Sequence, residues 1–74
     1  MTTISVKQLE FVAFCIEMYA EALHLSGQTV ANRFKKAGIL SHVVTHYREL
    51  HSQGKEWLLQ HLKDLLASQE ASVS

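Results

Sequence analysis

The stretch from Val6 to Leu23 is apolar around most of a helical cylinder. Leu9, Val12, Ala13, Ile16, Tyr19, Ala20 and Leu23 share one broad face at helical spacing. Phe11, Phe14, Met18 and Ala22 carry that face further round. Lys7, Glu10, Glu17 and Glu21 are left as a narrow charged strip. A helix of this kind is buried from several sides, by the rest of its own fold or by a partner. Ser5 is placed to cap it, and Gln8 three residues on completes a capping box. His24 stands where it can meet the last carbonyls.

Proline is absent, so punctuation falls to Gly27, Gly38, Gly54 and the serines. A second helix is expected from a cap at Ser26 to Gly38, with Val30, Phe34 and Ala37 facing inward. Lys35 and Lys36 sit in its last turn, where cations suit the helix dipole, and Gly38 suits the left-handed residue that stops a helix. A third helix is expected from Ser41 to Leu50. Leu40, Val43, Val44, Tyr47 and Leu50 lie on one face, and His42, Thr45, His46 and Glu49 on the other. A fourth, from Lys55 to Leu66, carries the stripe Leu58, Leu59, Leu62, Leu65 and Leu66, with Trp57 and His61 at its border. The small polar residues 67–74 are expected to fray. No segment alternates as a strand does, so the expected fold is all-α, a compact bundle of about four helices in one domain over 1–74.

With 74 residues the chain has room for one domain of marginal stability. Cys15 is the only cysteine, so no internal disulfide compensates. That usage fits a reducing cytoplasm, and self-association is the obvious route to further stability. Lys+Arg and Asp+Glu number 7 each. The balance lacks the basic excess that phosphate neutralisation demands of nucleic-acid binders. The N-terminus lacks the pattern of a secretion signal. The longest apolar run, Phe11 to Ile16, is far too short for a membrane span.

Few residues suggest chemistry. His42 and His46, four apart, share a helix face, and Glu49 could join them. Metal sites need three or four ligands, however, and a solvated helix face is the favoured reading. His51 is expected to bond backbone groups at a helix end. Cys15, between Phe14 and Ile16, is expected to be a buried and inert small hydrophobe. No phosphate loop, dinucleotide fingerprint or zinc-finger spacing occurs. These readings exclude a cofactor and leave no catalytic set, so the chain is not expected to be an enzyme by itself.

Four blocks carry a family likeness: Phe11-Val12-Ala13-Phe14-Cys15-Ile16-Glu17-Met18-Tyr19-Ala20; Leu25-Ser26-Gly27; Phe34-Lys35-Lys36-Ala37-Gly38-Ile39-Leu40; and Tyr47-Arg48-Glu49-Leu50-His51-Ser52-Gln53-Gly54-Lys55-Glu56-Trp57. Together they resemble a family of small bacterial all-helical domains of unknown function. The resemblance spans about Leu9 to Leu66, and Leu50-His51-Ser52-Gln53-Gly54 is its most specific element. Some members are encoded beside a larger protein that looks like an ADP-ribosyltransferase toxin. The resemblance therefore implies a partner-binding or antitoxin role in the cytoplasm and supplies no catalytic residues.

The functional expectation is a protein–protein interaction module that binds another protein and can bind a copy of itself. Phe11, Phe14, Met18 and Trp57 are more apolar surface than four short helices can hide, and such residues are enriched in interface cores. They are the expected partner-binding anchors, rimmed by Glu10, Glu17 and Glu21. His51, Gln53 and Gly54 are expected to shape a turn. The alternative is a DNA-binding helix-turn-helix across Gly38. It would place His42, Thr45, His46 and Glu49 toward bases, with Arg48 at the edge of that face and Arg33, Lys35 and Lys36 near phosphates. The neutral balance and the scarcity of basic residues on the presenting face speak against it.

Overall fold

A computed structural model describes residues 4–73. Among these residues the chain forms five helices and no strand: α1 (Val6–Leu23), α2 (Gly27–Lys36), α3 (Ile39–Thr45), α4 (Tyr47–Leu50) and α5 (Lys55–Val73). The expected all-α architecture is the one found.

Local chemistry sets the helix ends. The Ser5 hydroxyl accepts from the Gln8 N–H at 3.1 Å, and the Gln8 carboxamide oxygen accepts from the Ser5 N–H at 2.9 Å. The two bonds satisfy donors that the first turn cannot pair internally. At the other end His24 is left-handed, with φ of 56°. The Leu25 N–H then reaches back to the Ala20 carbonyl at 2.8 Å and the His24 N–H to that of Glu21 at 3.4 Å, the Schellman pattern. Ser26 caps α2 by accepting from the Thr29 N–H at 3.1 Å. Gly38, with φ of 74°, ends the connection from α2, and its carbonyl accepts the His42 N–H at 3.2 Å within the first turn of α3.

The third expected helix differs in two ways. It starts earlier, at Ile39, and it is interrupted at His46, whose φ and ψ of −104° and 27° are not helical. Three β-branched residues, Val43, Val44 and Thr45, lead into the interruption, and such residues weaken helix. The kink does not release the segment, because the Leu50 N–H still reaches the His46 carbonyl at 2.9 Å. Helix α5 continues to Val73, past the boundary expected at Leu66, since no glycine or proline lies there to stop it. Ser74, the end of the tail expected to fray, lies outside the described residues.

The core gathers one face from every helix. Cys15, Met18, Tyr19 and Ala20 come from α1, Val30 and Phe34 from α2, and Ile39 and Val43 from α3. Leu50 comes from α4, and Leu58, Leu62 and Leu66 from α5. Tyr19 meets Phe34 edge to face, with centroids 5.1 Å apart, a preferred geometry for ring quadrupoles. One long-range polar contact joins the first and third helices: the Gln8 carboxamide N–H donates to the Val44 carbonyl at 3.1 Å.

The segment after α4 closes on itself. The Ser52 hydroxyl donates to the Glu49 carbonyl at 3.0 Å, and the Gln53 N–H donates to that of Leu50 at 3.1 Å. The turn role expected of Gly54 needs correction. Its φ is not left-handed, and a Cβ built there would meet nothing within 4 Å, so the fold does not require glycine at that position. Gly38→Ala should lower unfolding stability by roughly 1–2 kcal/mol, because the left-handed conformation penalises a Cβ. Gly54→Ala should stay within about 0.5 kcal/mol of wild type, because the gain through the unfolded chain opposes the poorer cap that alanine makes before α5. Urea denaturation of both variants checks the contrast, and equal losses would refute it.

Candidate functional site

Four rings stand in sequence from α1 to the end of α4. Phe14 stacks on Phe11 with centroids 6.3 Å apart. Phe11 meets Tyr47 edge to face at 5.5 Å, and Tyr47 stacks on His51 at 4.4 Å with planes 5° apart. Helical spacing produces both local pairs, since residues three or four apart are surface neighbours. The middle contact is tertiary and depends on α1 packing beside α4. His51 Nδ1 lies 2.8 Å from the Tyr47 carbonyl oxygen. A carbonyl can only accept, so Nδ1 carries the proton, and Nε2 is the acceptor nitrogen of the neutral ring. The expectation that His51 bonds backbone at a helix end is met.

The rings line a cleft of about 630 Å³ together with Lys7, Glu10, Gln53, Lys55 and Leu58. Its size is within the range of about 300–1,000 Å³ typical of ligand clefts. It unites two groups of residues that sequence reading kept apart: the apolar anchors Phe11 and Phe14, and His51 and Gln53 of the turn after α4. No local signal could have joined them, because helix packing alone brings α1 against that turn.

The four expected anchors do not form one surface. Phe14 is 44% exposed and Phe11 is half-buried beside it. Met18 is only 4% exposed, so its assignment as a surface anchor is corrected: it points into the core with Cys15 and Tyr19. Trp57 is 47% exposed but lines a different depression, with Gln60, His61 and Asp64. The apolar surplus instead reaches solvent at Leu9 and Val6, which are 54% and 69% exposed, and at Ile4. Glu10, Glu17 and Glu21 are all exposed, and Glu10 alone of the three lines the cleft.

A second cluster joins α3 to α5. His42 Nε2 lies 3.2 Å from His61 Nε2. The His46 ring lies 4.6 Å from that of His42, and Trp57 stacks on His61 at 4.9 Å. Glu49 approaches His46 Nδ1 at 3.7 Å rather than completing a ligand set with His42. Among the described residues no group of three His, Cys, Asp or Glu is placed to hold a metal ion. The His42–His61 contact requires one nitrogen to donate and the other to accept, which forbids two protonated rings. Burial first, then the charges of His46 and His61, hold the His42 imidazole below its usual range. Cys15 is buried, and burial pushes its thiol up to about 12, so it is protonated and inert at neutral pH.

The helix-turn-helix geometry is only partly present. Arg33, Lys35 and Lys36 occupy the last turn of α2, and Arg33 and Lys36 border a cleft shared with Gln69 and Glu70 of α5. The helix after Gly38 is short, and its His42 is turned to His61. No helix among the described residues is long and apolar enough to cross a membrane.

Fold and cleft together define a small all-helical domain with an aromatic groove. Residues 10–69 match the family described as a protein of unknown function (DUF3791), and the chain belongs to that family. No curated protein and no solved structure matches it.

Two outcomes follow from the part-buried His42 and the buried Cys15. His42 has a lowered folded pKa, so between that value and the unfolded value of about 6.5 the unfolded chain binds more protons. Its contribution to stability is therefore complete above that range and is lost as pH falls through it. Urea melts from pH 8 to pH 5 should show wild type losing stability, and His42→Gln should lose less. Ellman's reagent should leave Cys15 unmodified in the native protein and react fully once urea unfolds it. Rapid native labelling would contradict the burial.

Proposed function

We propose that this chain is a protein–protein interaction module. It acts in a bacterial cytoplasm as an antitoxin-like partner of a larger protein and is not an enzyme by itself. The observation that carries this reading is the exposed aromatic stack of Phe14 and Phe11, set in a cleft beside the turn after α4. Concave aromatic surface is the usual seat of binding hot spots. The resemblance to small domains encoded beside ADP-ribosyltransferase-like proteins supports a protein as the occupant and names the kind of partner to look for. Neutral overall charge and the shortness of α3 favour a protein partner over DNA. Self-association belongs to the same proposal, through the separate surface where Trp57 is exposed on α5.

The test is an affinity pull-down of the tagged chain from its own cells after nuclease treatment, read by mass spectrometry. A stoichiometric protein partner is expected. Phe14→Ser should weaken its capture by about tenfold or more, as truncation of an aromatic anchor does, and should leave the helical circular dichroism signal intact because Phe14 is part-exposed. Met18→Ala should instead destabilise the fold by about 2–5 kcal/mol, as core truncation does. Full capture by Phe14→Ser, or recovery of DNA in place of protein from untreated cells, would refute the reading.

A further inference from the structure

Glu10, Glu17 and Glu21 are spaced seven and four residues apart on α1, so they follow one line along the helix. At about 1.5 Å per residue the row runs roughly 16 Å. None of the three carboxylates forms an ion pair among the described residues, where the ion pair found is that of His46 with Glu49. Phe14 lies one turn from both Glu10 and Glu17, on the side that opens into the aromatic cleft. On the other side of the row lie the exposed Val6, Leu9 and Ala13. The outer face of α1 is thus an acidic line with apolar surface on both flanks and a single cation, Lys7, at its N-terminal end on the cleft side.

That pattern discriminates between occupants. A second copy laid across the face about a two-fold axis would set acidic row against acidic row, and like charges facing one another are destabilising. An acidic segment would find Lys7 and Lys55 at the cleft rim but would meet three unpaired carboxylates along α1. A basic segment with an apolar side chain satisfies both features. Helices that lie in grooves present anchors at spacings of three, four and seven, the same repeat as the acidic row.

We infer that the partner segment is a basic amphipathic helix. One of its apolar side chains sits on Phe14 and Phe11, and its lysines or arginines face Glu10, Glu17 and Glu21. This rests on the protein-interaction reading and adds the chemistry of the partner and the face that receives it.

The probe is a fluorescein-labelled synthetic helix of leucine and lysine, compared with its leucine–glutamate counterpart by fluorescence anisotropy at two salt concentrations. The lysine peptide should bind, more weakly at higher salt, and the glutamate peptide should not. The triple variant Glu10→Lys, Glu17→Lys, Glu21→Lys should weaken the lysine peptide by about tenfold or more and gain affinity for the glutamate peptide. Phe14→Ser should weaken the lysine peptide while leaving its salt dependence unchanged. A control triple on other surfaces, Glu49→Lys, Glu56→Lys, Glu70→Lys, should leave binding intact. The inference is overturned by equal loss in the control triple, by indifference to Phe14→Ser, by preference for the glutamate peptide, or by concentration-dependent self-association that the acidic-row triple abolishes. Applied to the partner captured from cells, the same variants separate the two levels. Loss with Phe14→Ser but not with the acidic-row triple would leave the interaction module standing and remove the basic helix. Capture unaffected by either would remove both.

Discussion

One helix carries more apolar surface than its neighbours can cover, and the rest of the domain is arranged around that imbalance. Helix α1 offers large side chains around most of its circumference, while α2, α3 and α4 are short and α5 supplies a single leucine stripe. Cys15, Met18 and Tyr19 go inside, with Phe34 and the leucines closing over them. Val6, Leu9 and Phe14 stay outside. Burying a side chain of that size is worth about 1.5–3 kcal/mol, so the choice of face decides much of the stability of a chain this small. It also decides which apolar surface stays exposed.

Chemistry confined to one or two turns was legible in the sequence. The Ser5–Gln8 box, the Ser26 cap and the left-handed Gly38 follow from residue types at fixed offsets, and the structure realises all three. The inward stripes of Val30 with Phe34, and of Leu58 with Leu62 and Leu66, were equally plain. The face of α1 was not. When apolar residues nearly encircle a helix, periodicity no longer selects a direction. Leu9 and Met18 therefore exchange the roles that spacing assigned them.

Contacts between distant residues were invisible for a different reason. Gln8 with Val44, Phe11 with Tyr47 and His42 with His61 each depend on how two helices approach, which no local pattern encodes. The break at His46 lies between these extremes: its β-branched approach was readable, but its place within a continuous stripe hid it. The candidate site shares this division. Its rings and its turn could each be picked out along the chain, and only packing makes them one cleft.

The ring series from Phe14 to His51 also bears on stability. It is both exposed surface and part of what ties α1 to the segment around α4, so an occupant of the cleft braces two elements that few other contacts join. A partner that binds only the folded chain adds its binding free energy to a marginal fold, in proportion to the logarithm of its concentration over the dissociation constant. Copies without the proposed occupant would open more often, and proteases would reach them first. Under the proposed function, the lifetime of this chain in a cell would follow how much of its partner is present.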